Sequence, residues 1–165
     1  MIRPAHEADL ALIPAIEESA AQLFADVGLA IPDDGAASPI DYWRSALDEG
    51  ALWVATDDRD TPIGYVACVS YGDVLYVQQI DVHRAHQRQG LGRQMMAAAI
   101  EGARKMGRSA LALTTFRSVP FNGPFYASLG FVEADDPPAW LGDILADEHA
   151  RGMRGRCGMI LALAG

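Results

Sequence analysis

Hydrophobic positions change their period along the chain, and each change marks an element. Leu12, Ile13, Ile16, Ala20, Leu23 and Phe24 recur at helical spacing, which predicts a first helix with Asp9 as its cap and Pro14 at its start or at a bend. Ile2-Arg3 before it reads as a short strand. Residues 28–39 carry Gly, Pro and Asp-Asp and read as a loop. Ser38-Pro39-Ile40-Asp41 then offers a Ser cap, a Pro in the first turn and an early acid. That second helix carries Tyr42, Trp43, Ala46 and Leu47 and stops at Gly50. Residues 51–56 and 63–71 are apolar runs joined by a polar turn, a hairpin pattern, and 74–82 follows as a central strand.

After the central strand comes a glycine-bearing turn, a helix over 91–106 ended by Gly107, and a strand over 109–116. A short helix over 122–129 leads through Gly130 to extended chain at Phe131-Val132. Asp143 is placed to cap a last helix through Ala150, and 157–163 reads as a closing strand. Strands and helices in this order predict one domain over 1–165 of mixed α/β (α+β) class, with a meander and then one strand–helix–strand unit. That unit, 74–82, 91–106 and 109–116, requires a right-handed crossover between parallel strands.

Composition changes this picture in few places. A net charge of −9 argues against a nucleic-acid partner and is compatible with a cationic acceptor such as an amine. No apolar run is long enough to span a bilayer, and MIRPAHEADL has no apolar signal core. Cys68 and Cys157, the two cysteines, lie in apolar runs and indicate no disulfide framework, so a cytoplasmic setting is expected. The stretch His83 to Arg93 contains Arg84, Arg88 and Arg93 and no acid. In an acidic chain, that points to an anion at the turn.

The turn, Gln87-Arg88-Gln89-Gly90-Leu91-Gly92, opens onto a helix. The first N–H groups of a helix lack internal partners and carry the positive end of its dipole, and glycine lets a phosphate approach the backbone. Two familiar phosphate sites fail here. Arg93-Gln94 stands where a P-loop needs Lys-Ser or Lys-Thr, and Met95 stands where a dinucleotide fingerprint needs its third glycine.

The pattern that fits is Ile80-Asp81-Val82 followed by Gln/Arg-x-x-Gly-x-Gly/Ala. A second block, Leu113-Thr114-Thr115-Phe116, Pro120 to Tyr126 and Leu129-Gly130-Phe131, agrees with it. Over about 74–132 the chain resembles the GNAT (Gcn5-related N-acetyltransferase) superfamily. The resemblance implies a mostly antiparallel mixed sheet with one splayed parallel pair, acetyl-CoA as co-substrate without a metal, and transfer to an amine of a small molecule or protein. It implies that N–H groups of Gln87, Arg88, Gln89, Gly90, Leu91, Gly92 and Arg93 hold the CoA pyrophosphate. It further implies that a bulged central strand offers Ile80, Asp81 and Val82 to the pantetheine arm, with the Val82 N–H on the thioester carbonyl. Asn122 would bind that arm or cap its helix, Phe125 would line the site, and Tyr126 would protonate the departing thiolate.

Many family members carry a glutamate base where this chain has Gln79, and a carboxamide orients water but takes no proton. Strand alternation puts Asp81 on the same face as Gln79, which makes it the alternative base; solvent deprotonation is a third route. A protein N-terminal acetyltransferase, with its groove in the 28–39 and 133–142 loops, and a silent acyl-CoA sensor are the competing functions. His83 and His86 lack a third metal ligand. Met95 and Met96 read as core, the three tryptophans as core or pocket wall, and Asp33-Asp34 and Asp135-Asp136 as loop acids. Terminal apolar strand 159–163 suits a homodimer.

Overall fold

The structure, a computed structural model, describes residues 1–29 and 38–164. Asp33 and Asp34, and most of the predicted 28–39 loop, lie outside the described residues. Seven strands form one sheet in the order β1-β2-β3-β4-β5-β7-β6: β1 Ile2–Pro4, β2 Leu52–Thr56, β3 Pro62–Tyr71, β4 Val74–Val82, β5 Ala110–Phe116, β6 Val132–Glu133 and β7 Arg156–Ala162. All pairings are antiparallel except β4 with β5. Among the described residues five α-helices flank it: α1 Ile13–Asp26, α2 Ile40–Asp48, α3 Leu91–Lys105, α4 Gly123–Ala127 and α5 Ala139–Ala150. The mixed sheet with one parallel pair is the predicted fold class.

The helices divide between the two faces of the sheet. On one face α3 lays Met95, Met96, Ala99 and Ala103 on Leu75, Val77 and Leu111, so both methionines are core. On the other, α1 and α2 bring Ile13, Ile16, Trp43 and Ala46 onto Leu52, Val54, Tyr65 and Ala67. α5 covers Tyr76 and Ala112 with Leu141 on that same side. Cys68 and Cys157 are buried and free. Gly102 lets α3 sit close on the sheet, because an added Cβ would run into the indole of Trp53. Gly102→Ala is therefore expected to lower stability by about 2 kcal/mol, the overpacking penalty exceeding the ~1 kcal/mol gain in helix propensity. Urea denaturation measures it.

Four local expectations are corrected. Asp9 does not cap α1: it lies in a 3-10 turn, Glu7–Leu12, where its carboxylate accepts the His6 N–H at 2.7 Å and pairs with Arg3 at 2.8 Å. Leu12, in that turn, is out of phase with α1 and exposed, and Pro14 falls in the first turn of α1, where a missing N–H costs nothing. Ser38 does not cap α2; its N–H and hydroxyl both go to the Glu17 carboxylate, at 3.1 and 2.7 Å. α5 begins at Ala139 rather than Asp143, directly after Pro137-Pro138, because Trp140 stacks on Tyr71 at 4.4 Å and Leu141 is fully buried. A further 3-10 turn, Arg84–His86, went unpredicted.

Candidate active site

The site arises where β4 and β5 part. Their parallel ladder runs only from Val74↔Ala110 to Tyr76↔Ala112, although β4 continues to Val82 and β5 to Phe116. The cause lies in β4. Its register against β3 jumps from Cys68↔Val77 to Ala67↔Gln79, leaving Gln78 as the extra residue of a bulge. A bulge bends the strand and inverts its side-chain parity. Before it, Leu75 and Val77 face α3; after it, Ile80 and Val82 do. The opposite face thus receives Tyr76, then Gln79 and Asp81, and the predicted shared face of the last two is observed.

Backbone direction follows from the same register. The His83 N–H bonds the Ile63 carbonyl at 2.8 Å, so Gly64↔Val82 is a pair whose own N–H and C=O groups turn away from β3. Val82, and two residues earlier Ile80, therefore turn their backbone groups to the gap beside β5, where the Val82 N–H and both groups of Ile80 are free. Asp81 differs: its carbonyl points at β3, where a Cβ on Gly64 would lie 3.0 Å from it. Its contribution to the site is its side chain. The Gln87 amide donates to the Val82 carbonyl at 3.0 Å and so ties the turn to the strand end.

The turn has the shape that an anion needs. Arg88 has φ 62° and Gly90 φ 78°, two left-handed residues in three. Gln94 is the residue whose N–H first bonds back, to the Gly90 carbonyl at 3.1 Å. The Arg93 guanidinium is held by the Ser128 hydroxyl at 2.8 Å and lies over the Phe125 ring, leaving the Arg93 backbone N–H at the helix start. Gln89 and Arg88 are exposed there, and Leu91 packs into the core beside them.

Asn122 is buried, and its Oδ1 accepts the Thr115 hydroxyl at 2.9 Å rather than capping α4. This fastens α4 to β5 at a residue that lines the cleft. Gly123 must follow, because a Cβ there would strike the Arg117 carbonyl. α4 sets Tyr126 against Phe125 and Phe131. The Tyr126 phenol is pushed well above its ordinary pKa by burial and then by the negative charge of Asp81, with Arg156 opposing. The structure thus brings Tyr126 and Asp81, predicted on separate motifs, to one site.

The cleft between these elements encloses about 1690 Å³ and runs from the α3 turn past the splay to α1, α2 and α5. On its α1 side, Asp81 Oδ2 accepts the Tyr65 hydroxyl at 2.8 Å and Gln79 Nε2 at 2.7 Å. The same Nε2 reaches Glu17 at 3.4 Å. Burial pushes the Asp81 carboxyl up to about 6, against the pull of the Gln79 and Tyr65 hydrogen bonds, and Glu17 adds to the rise. On its α5 side, Glu148 is buried and held by Arg156 at 2.8 Å and by the Thr114 hydroxyl at 2.5 Å, with Tyr76 on Thr114 at 3.2 Å. Neither Tyr65 nor this Glu148–Arg156 cluster is marked in the sequence. Each lies in an ordinary strand or helix pattern, and only the register joins them to the site.

His83 and His86 stand with ring centroids 6.0 Å apart, and no group of three metal-ligating side chains occurs among the described residues. Among them also no helix is long and apolar enough to cross a membrane. Asp135 and Asp136 do not line the cleft.

A splayed parallel pair, a strand edge with free backbone groups and a helix N-terminus at its end form a site for an extended ligand with an anionic group at one end. The model of the acetyltransferase (GNAT) family matches residues 17–131, and the chain belongs to that family, which makes the protein an acyltransferase. Solved structures agree in fold. The ribosomal-protein-S18-alanine N-acetyltransferase of Escherichia coli is 22% identical with a TM-score of 0.69, covering 100% of this chain and 96% of that one. The PaiA N-acetyltransferase of Thermoplasma acidophilum, in complex with coenzyme A, is 16% identical at 0.69, covering 99% and 98%. N-acetylglutamate synthase of Neisseria gonorrhoeae, complexed with coenzyme A and N-acetyl-glutamate, is 21% identical at 0.69, covering 100% of this chain and 35% of that one. The residues present fit CoA: a left-handed turn at a helix start suits a pyrophosphate, and the unpaired backbone groups of Ile80 and the Val82 N–H suit the amide-bearing pantetheine.

Proposed function

We propose that the protein transfers the acetyl group of acetyl-CoA to a primary amine of a small molecule or protein, by direct attack in a ternary complex. The observation that carries this reading is a carboxylate, Asp81, that lines the same cleft as the Tyr126 phenol. Bound acetyl-CoA supplies an acyl group activated as a thioester. Backbone N–H groups from Arg88 to Arg93 hold its pyrophosphate, with Gln87 tying that turn to β4, Gln89 and Leu91 carrying the backbone and Phe125 flooring it. Ile80 and the Asn122 Nδ2 bind the arm, and the Val82 N–H polarises the carbonyl.

The acceptor enters from the α1–α2–α5 side. Asp81 takes one proton from its ammonium, the nitrogen attacks the thioester carbonyl, and as the C–S bond breaks Tyr126 gives its proton to the leaving sulfur; the second proton, which the nitrogen sheds on becoming an amide, restores the Tyr126 phenol. The raised pKa of Tyr126 keeps it protonated and ready to donate at neutral pH. Gln79 holds Asp81 rather than acting on the acceptor. With Asp81 supplying the base, turnover is favoured over a silent sensor.

The test is release of CoA thiol from acetyl-CoA across a panel of amines, amino acids and peptides with free N-termini. Release with at least one class is expected. Tight acetyl-CoA binding with no release from any of them would return the sensor reading. Tyr126→Phe is expected to lower kcat about ten-fold with CoA affinity nearly intact. An unchanged kcat would remove Tyr126 from the mechanism.

A further inference from the structure

We infer that Tyr65 and Gln79 are positioning residues that pin one oxygen of the Asp81 carboxylate and so aim the other at the acceptor amine. The inference rests on the proposed role of Asp81 as base and adds to it what sets its direction. Tyr65 and Asp81 are direct partners in the β3–β4 register. The Tyr65 ring is completely buried and packed edge-on against Trp43 at 5.1 Å, itself completely buried. The phenol therefore cannot swing, and its hydroxyl donates to Asp81 Oδ2 at 2.8 Å. Gln79 Nε2 donates to that same oxygen at 2.7 Å. Two donors on Oδ2 fix the plane of the carboxylate, and Oδ1 is the atom left to meet a substrate proton.

Three groups act on this carboxylate. Glu17 from α1 adds negative charge, and Tyr65 from β3 and Gln79 from β4 itself donate; the carboxylate in turn raises the pKa of the Tyr126 phenol on α4. Both donors favour the ionised form of Asp81. Removing either raises the pH at which the base becomes available. The signature is a moved acid limb in the pH profile of kcat/KM, which a merely structural residue would leave in place.

The experiment compares pH profiles of wild type, Tyr65→Phe, Gln79→Leu, Asp81→Asn and the double variant Tyr65→Phe/Asp81→Asn. Tyr65→Phe is expected to move the acid limb upward by about one pH unit. On the plateau above it, kcat/KM should fall about five-fold through lost orientation, with the KM for acetyl-CoA unchanged. In the Asp81→Asn background, the same change should alter the rate less than about two-fold, since it acts through the lost carboxylate. If Tyr65→Phe fails to fold, Gln79→Leu must move the limb in the same direction. A slow Asp81→Asn enzyme beside an unmoved limb in Tyr65→Phe or Gln79→Leu overturns this inference alone. An Asp81→Asn enzyme as fast as wild type overturns the base assignment on which it rests.

Discussion

Asp81→Asn is expected to lower kcat/KM for the amine by about 100-fold or more, the usual worth of a general base, with acetyl-CoA affinity unchanged. In the wild-type enzyme the carboxyl is held up at about 6 by burial. It is ionised and able to accept a proton above that pH and protonated below it, so activity should fall as pH drops through about 6. In Asp81→Asn that limb should vanish. Stability should move the other way. A carboxyl whose pKa is higher in the folded than in the unfolded chain holds more protons when folded, so its cost grows as pH rises from about 4 to 6 and then stays. A rise of this size costs on the order of 3 kcal/mol at neutral pH. The Asn variant, free of that cost, should keep or raise its Tm at pH 8. A slow enzyme with an undiminished Tm separates lost chemistry from lost folding; a slow enzyme that has also lost its Tm would leave the base assignment without support from this variant, and a fast one would refute it.

The elements that carry this chemistry were legible from their own residues. β4 occupies Val74–Val82 as its apolar and aromatic run predicts, and α3 starts at Leu91, directly after the glycine turn. The site was less legible because it depends on register. Nothing in Val77-Gln78-Gln79 marks which residue a bulge will absorb, and a strand without it would turn Gln79 and Asp81 to the α3 face, away from Tyr65. Tyr65 reads as one more aromatic in a buried strand until β3 and β4 are paired. Ser38 and Asp9 misled for a related reason: a capping side chain takes a stronger partner when the tertiary fold supplies one, Glu17 in the first case and Arg3 in the second. With Asp143 as its cap α5 would start five residues late, because its start is set by Trp140 stacking on Tyr71, a contact 69 positions apart in sequence.

Gly90→Glu is expected to abolish CoA binding, with Kd for CoA rising by about 100-fold or more. Two effects act together. Gly90 sits at φ 78°, where a residue with a Cβ is strained by about 1 kcal/mol, so the turn that aims the Arg88 to Arg93 N–H groups would relax away from its shape. A carboxylate at that point would also occupy the positive end of α3 in place of the pyrophosphate and repel it. Gly90→Ala carries the first effect without the second and should weaken binding by about ten-fold at most. The contrast between the two variants by calorimetry measures the electrostatic share, which should shrink as salt is raised. The fold should survive both changes, because an added Cβ at Gly90 meets only the flexible end of Gln94, at 3.9 Å. If Gly90→Glu binds CoA as wild type does, the pyrophosphate does not sit on this turn. The roles assigned to Ile80 and Val82 would then fall with it, since the path of the arm along β4 is set by where the phosphates are held.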